Sequence, residues 1–318
     1  MGIRKRKTFQ ANKKRKPDSQ QPVSSLLDGI GSIQRNVQSP ANGQNRFALD
    51  KVLGSGGLCE VFLATDLFRV SCGDSAPQVA IKRLLPQYAQ DCKARHLLVR
   101  EFIITRALSH SGIVRVHDLH ETPQGPVLSM ELLEGELLSS VKFGMGNGIL
   151  PIAKSLFATL QVLHALHIAH GDIKPGNLFL ERNSRLVLFD FNTAGTVTPA
   201  GGPSSSVARS ICAELRIPSC SPLYASPERL RGADPSMADD MFAACCSLYE
   251  LAEGRHPFDR KSPLETAGNA REDALKYLPG RIRAFLLKGL SFDPENRPSV
   301  PEVNEALNKK RLLHHVFG

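Results

Sequence analysis

The chain has 318 residues, 42% of them hydrophobic, enough to bury the core of one large domain or of two lobes. No apolar run approaches the ~18 residues that span a bilayer, and the N-terminus opens with charge instead of a signal-peptide core. The formal charge of +9 is uneven: residues 1–46 hold ten Lys/Arg against Asp18 and Asp28, which leaves 30 basic and 29 acidic residues in 47–318, a nearly neutral folded part.

Residues 1–46 are rich in Lys, Arg, Gln, Asn, Ser and Gly without a sustained apolar period, which predicts a disordered tail. Its clusters Arg4-Lys5-Arg6-Lys7 and Lys13-Lys14-Arg15-Lys16 suit nucleic acid, an anionic membrane or a targeting receptor, as well as a plain solvated tail or secretion leader. Met1-Gly2 hints at myristoylation, but Arg6 stands where Ser or Thr is wanted. From Phe47 the texture becomes short strands, 47–53 and 60–65 around a glycine turn and then 78–84, with 66–77 read as a loop. A helix over 93–108 carries Glu101, and strands follow near 113–119 and 126–132. After Gly135 the pattern is mostly helical. Ile152, Leu156, Leu160 and Leu163 recur at helical spacing, and further helices are expected near 226–231, 237–253, 281–290 and 300–308. This order predicts an α+β fold of two lobes, a small β-rich one with one helix over 47–133 and a larger, mainly helical one over 134–318, with a cleft between them. Seven cysteines (Cys59, Cys72, Cys92, Cys212, Cys220, Cys245, Cys246) include no CxxC pair. They fit a reduced, cytoplasmic compartment, with delivery into a host cell as the alternative.

The chemistry concentrates in His170-Gly171-Asp172-Ile173-Lys174-Pro175-Gly176-Asn177 and in Asp190-Phe191-Asn192. An acid, a cation, an amide and a second acid in that order suit phosphoryl transfer from a Mg-nucleotide. The acid accepts a hydroxyl proton, the cation offsets phosphate charge, and the amide and second acid hold metal. Upstream, Leu53-Gly54-Ser55-Gly56-Gly57-Leu58-Cys59-Glu60-Val61 joins two strands through glycines whose backbone can approach phosphates closely. In Val79-Ala80-Ile81-Lys82 strand alternation places Ala80 and Lys82 on one face. A lysine there needs an anionic partner, and Glu101 is the natural candidate.

These motifs resemble the Hanks-type (eukaryotic-like) serine/threonine protein kinases, over about Leu49 to Pro298, and the Gly-Gly-x-x-Glu-Val form of the loop is similar to that of bacterial members. The resemblance implies a bilobal kinase that transfers the γ-phosphate of ATP, with Mg²⁺ (or Mn²⁺), to Ser/Thr of protein substrates. It implies that Leu53, Gly54, Ser55, Gly56, Gly57 and Val61 cover the nucleotide, and that Lys82 contacts its phosphates while paired to Glu101. Ala80 and Met130 would flank the base, with Met130 as gatekeeper and the backbones of Glu131 and Leu133 as hinge. Asp172 would orient the nucleophile, Lys174 sit near the γ-phosphate, and Asn177 and Asp190 hold the metal. Ser221 would line the catalytic loop ahead of Tyr224-Ala225-Ser226-Pro227-Glu228, Glu228 would pair with Arg297, and Asp240 would cap the catalytic loop.

Three departures stand out. Gly171 replaces the usual Arg, which removes the partner of an activation-loop phosphate and implies activity independent of Ser204, Ser205, Ser206 and Ser210. Asn192 replaces a Gly and is expected to tolerate left-handed backbone there. Cys59 takes the third glycine position, as an inert filler or as a redox-sensitive thiol. Three rivals remain: a small-molecule phosphotransferase of the aminoglycoside or choline type, which also carries His-Gly-Asp, a nucleotide-binding pseudokinase scaffold, and a basic-tail nucleic-acid or membrane binder with the kinase fold as passenger.

Overall fold

The computed structural model describes residues 46–143, 148–197, 220–266 and 275–309. The expected tail disorder, the two basic clusters, the four activation-loop serines and Cys212 lie outside these residues, Arg46 apart. The first part runs β1 (Phe47–Ser55), β2 (Cys59–Asp66), α1 (Leu67–Ser71), β3 (Gln78–Leu84), α2 (Cys92–Ala107), β4 (Val116–Thr122) and β5 (Gly125–Met130). Its strands form one antiparallel sheet in the order β1-β2-β3-β5-β4.

Alternation along the strands sorts the sheet's two faces. Val79 and Ile81 join Ala64 and Val127 in one apolar cluster. On the other face Leu58, Cys59, Leu84 and Leu128 meet Ala94, Leu97 and Leu98 of α2. Ala80 and Lys82 belong to this second face, with their cross-strand partners Met130 and Val61. Helix α2 starts where the Asp91 carboxylate accepts the Lys93 and Ala94 amides, so its register, and with it Glu101, is fixed from its first turn.

The second part runs β6 (Gly135–Leu137), α3 (Ile149–Ala165), β7 (Ile168–Ala169), β8 (Leu178–Glu181), β9 (Leu186–Leu188), β10 (Gly195–Thr196), α4 (Pro227–Leu230), α5 (Met237–Glu253), α6 (Gly280–Gly289) and α7 (Val300–Asn308). Ile152, Leu156, Leu160 and Leu163 of α3 are all buried in its core. Helix α5 is apolar nearly all round and runs through the same core. It begins at a capping box between Ser236 and Asp239 and ends at Gly254 in the left-handed region (φ 67°).

Two expectations need correction. The stretch read as a plain loop over 66–77 holds α1, nucleated by the Asp66 carboxylate on the amides of Phe68 and Arg69. The largely helical reading after Gly135 missed a three-stranded sheet, β6-β8-β9, and the β10-β7 pair. Elements of two to five residues are too short to show a period.

Arg297 ties the end of this part to its middle. Its guanidinium, with the side chain 1% exposed, donates to both Glu228 oxygens, to the carbonyls of Ala238 and Ser291, and lies over the Phe242 ring. Burial pushes the Glu228 carboxyl up, but the Arg297 bonds outweigh it and hold it below its ordinary value. Arg297→Ala strands that carboxylate and is expected to cost about 3 kcal/mol of stability, read as a lower urea midpoint.

His256 is a buried packing group whose Nε2 lies 2.9 Å from the Leu223 carbonyl while Nδ1 accepts the Phe258 amide at 3.2 Å. Burial, offset only in part by the Leu223 carbonyl and Glu250, lowers its pKa. The unfolded chain therefore takes up this proton at a higher pH than the folded one. The contribution is present above the ordinary histidine value of about 6.5 and is lost as pH falls from there toward the folded value. Urea midpoints should drop between neutral and mildly acidic pH, and His256→Gln should flatten that drop.

Candidate active site

Strand β7, wholly buried, delivers the chain into His170-Gly171-Asp172. Asp240 of α5 holds the loop from below. Its Oδ2 accepts the His170 amide (2.8 Å) and lies 3.1 Å from His164 Nε2, while its Oδ1 accepts the Gly171 amide (2.9 Å). His170 is buried edge-on against Phe191, with Nε2 3.1 Å from the Phe189 carbonyl and Nδ1 accepting the Asp172 amide at 3.3 Å. Burial, against the pull of Asp240, Asp172 and Asp190, lowers its pKa, so the neutral ring with hydrogen on Nε2 fits both partners.

Gly171 has φ +79°, and a Cβ there would meet Pro235 and the Thr193 carbonyl at 3.2 Å. A side chain at this position would be strained and crowded at once, so a glycine here belongs to the build of the loop.

Asp172 is gripped on every side. Lys174 Nζ lies 2.7 Å from Asp172 Oδ2 and 2.6 Å from Ser221 Oγ, and the Ser221 amide donates to Asp172 Oδ1 at 2.8 Å. Asn177, at the end of the 3₁₀ turn Pro175–Asn177, donates its amide to the Asp172 carbonyl (2.8 Å) and to Oδ2 (3.2 Å). Four of the residues singled out by sequence thus form one cluster.

The second cluster centres on Lys82. Its ammonium lies 2.7 Å from both Glu101 oxygens and 2.7 Å from Asp190 Oδ1, in a setting where lysine and glutamate are nearly inaccessible. Burial alone would lower the Lys82 pKa, but the two carboxylates raise it, so the ammonium stays charged. Burial would raise Asp190, yet Lys82, with His170 and Lys174 behind it, holds it low. Burial raises Glu101, which Lys82 corrects only in part because the Asp190 charge pushes the same way as burial.

The glycine turn joins β1 to β2, with the Gly56 amide on the Cys59 carbonyl at 2.8 Å. None of Gly54, Gly56 and Gly57 has positive φ, and no heavy atom lies within 4 Å of a Cβ built on Gly54 or Gly57. These glycines keep the space beside the turn clear instead of permitting an unusual backbone. Ser55 closes β1 opposite Glu60, Gly54 pairs with Val61, and Leu53 is exposed. Ala80 faces Met130 across the sheet. Beyond Met130, the Glu131 amide donates to the Arg115 carbonyl at 2.9 Å, and the chain continues through Leu133 to β6.

Sequence reasoning missed Arg185. It grips both Glu131 oxygens (2.7 and 3.0 Å), Glu181 (3.1 Å) and the Ser111 carbonyl (2.6 Å), which pins the segment after β5 to the β8–β9 turn. No motif marks it; a fork-shaped cation near a turn was the only available signal.

Two expectations change. The left-handed residue of Asp190-Phe191-Asn192 is Asp190 (φ 66°), and Asn192 is not among the residues with positive φ. Cys59 is buried against Leu84 and α2, and burial pushes its thiol up to about 12, which favours the inert filler over a reactive thiolate.

Among the described residues no three His, Cys, Asp or Glu side chains gather as a metal cluster, and no helix is long and apolar enough to cross a membrane. The model of the protein kinase domain matches residues 47–310. Serine/threonine-protein kinase PknB of Mycobacterium tuberculosis is 30% identical over 276 residues, 82% of this chain and 42% of that protein. A probable serine/threonine-protein kinase PknB of Corynebacterium glutamicum is 31% identical over 235 residues, 70% of this chain and 34% of its own length. A probable serine/threonine-protein kinase of Streptomyces coelicolor is 29% identical over 276 residues, 82% and 39%. The chain spans well under half the length of these relatives. With the family model covering nearly all of it after the basic segment, the chain belongs to the protein kinase domain family, in the Hanks-type group its motifs resemble.

Proposed function

We propose that this chain is a serine/threonine protein kinase that transfers the γ-phosphoryl group of ATP to protein hydroxyls. The observation that carries the reading is Lys82 bonded at once to Glu101 and Asp190, with Asp172 held by Lys174, Ser221 and Asn177 in the second cluster. Lys82 contacts the nucleotide phosphates, Asp172 positions the substrate hydroxyl in line and accepts its proton late, and Lys174 offsets charge on the transferred group. Gly54, Gly56, Gly57, Val61, Ala80 and Met130 enclose the nucleotide, with the Glu131 and Leu133 backbones at the base. The donor set fits Mg²⁺. Asn177 uses its amide nitrogen on Asp172 and so keeps its oxygen for metal, Asp190 is a second hard oxygen donor, and substrate phosphates complete such sites. When bound, the ion neutralises charge on the phosphates.

Ser221 on Lys174 and Asp172, and Glu228 on Arg297, favour a protein kinase over a small-molecule phosphotransferase. Incubation with Mg-ATP and a generic protein substrate should give phosphoserine or phosphothreonine by mass spectrometry. Asp172→Ala should lower the rate about 10²–10⁴-fold while thermal stabilisation by Mg-ATP persists. Transfer to an aminoglycoside and not to protein, or equal rates in both enzymes, would sink the reading.

We further propose that activity does not depend on activation-loop phosphorylation. The Asp172 loop is fixed by Asp240 and by the backbone fit of Gly171, and the residue before Asp172 is this glycine instead of an arginine. A variant with Ser204, Ser205, Ser206 and Ser210 all changed to Ala should keep its rate within about twofold, less than the 0.5 kcal/mol scatter of neutral surface changes. Loss of activity in that variant refutes this part alone.

A further inference from the structure

Helix α1 is fastened at its start, where the Arg46 guanidinium also lies over the Phe68 ring at 5.7 Å, and its apolar side chains are exposed. Its N-cap Asp66 pairs with the Arg46 guanidinium at 2.7 Å, and the Leu67 amide donates to the Arg46 carbonyl at 2.9 Å. No residue of the helix is buried, and Leu67, Phe68 and Val70 are 45%, 63% and 48% exposed. Leu67 and Val70, three apart, share a face. A single exposed apolar residue is ordinary, but three on one turn mark a surface for something else.

The second observation is what leads into Arg46. Residues 1–46 carry ten Lys/Arg against two acids, eight of them in the clusters at 4–7 and 13–16. Twenty-nine residues lie between Lys16 and Arg46, and a chain of that length spans up to ~100 Å, so clusters and helix can meet one surface. Nucleic acid offers anionic charge without a seat for Leu67 and Val70. An apolar protein groove offers the seat without the charge. A bilayer with anionic headgroups offers both.

We propose that α1 and the basic segment together dock this protein on an anionic lipid surface, with Lys and Arg at the headgroups and Leu67, Phe68 and Val70 at the acyl boundary. One attachment alone is weak, and the pair makes a stable anchor. Strand β2 carries α1 at one end and the glycine turn at the other, about 23 Å apart at the usual rise, so the nucleotide cleft stays clear of the membrane.

The full chain is sedimented with vesicles of mixed phosphatidylserine and phosphatidylcholine, and with phosphatidylcholine alone. Binding to the mixed vesicles only, reduced by added salt, is expected. L67Q/F68S/V70S should lower partitioning about tenfold with an unchanged melting temperature, since the positions are exposed. Changing the eight clustered Lys/Arg to Gln should lower it at least as much. The proposal is overturned if the parent protein does not bind, or if the apolar triple variant binds equally well. It is also overturned if a short DNA duplex strips the protein from vesicles and binds the triple variant unchanged. Faster proteolysis of the basic segment in the triple variant, with vesicle binding intact, makes α1 the seat of that segment and overturns it too.

Discussion

The site depends on one buried ammonium held between two carboxylates. Lys82 comes from the middle of the sheet, Glu101 from α2, and Asp190 from beyond β9, so three separate pieces of chain are fixed relative to one another by a single group. A buried charge is tolerated only when paired, and here two anions share one cation. Burial and the Asp190 charge push the Glu101 carboxyl up, while Lys82 holds that of Asp190 down. Such a group is suited to a partner bearing both phosphates and a divalent ion. On the proposed reading, phosphates would satisfy Lys82 and the ion would satisfy Asp190.

The second cluster is made rigid in a different way. Around Asp172 the contacts are the Lys174 ammonium, the Ser221 amide and the Asn177 side chain, and Asp240, wholly buried on a long core helix, receives two successive loop amides. The loop therefore inherits the rigidity of the core. Gly171 fits this design, because its left-handed backbone lets the chain turn over Pro235 and Thr193 where a Cβ would be crowded at 3.2 Å.

Much of this was legible in the sequence because phosphoryl transfer needs particular groups in a particular order, and the residues that supply them cannot be exchanged freely. Lys82, Glu101, Asp172, Lys174, Asn177, Asp190 and Ser221 come together as their order along the chain suggests. The long helices were legible because four turns of apolar spacing leave a clear period, as in α3. The short pieces were not. Strands β6 to β10 and helix α1 are set by tertiary pairing and by a cap, which leave no periodic trace. Arg185 was invisible because its partners Glu131 and Ser111 lie far off in sequence.

The backbone at Asp190 shows how the two clusters are joined. A non-glycine residue at φ 66° sits in a sparsely populated region, one that aspartate tolerates better than most residues but does not prefer. Its carboxylate is anchored on Lys82, so the unfavourable dihedral is maintained by the same ion pair that orders the phosphate end. Phe191 next to it is fully buried against His170, whose ring accepts the Asp172 amide. Asp190 and Asp172 are therefore linked by two routes, through the Phe191 and His170 rings and through Asn177, whose carbonyl accepts the Phe189 amide and whose side chain donates to Asp172. Releasing Lys82 would loosen Asp190 first, while the Lys174, Asn177 and Ser221 contacts hold Asp172 independently of it.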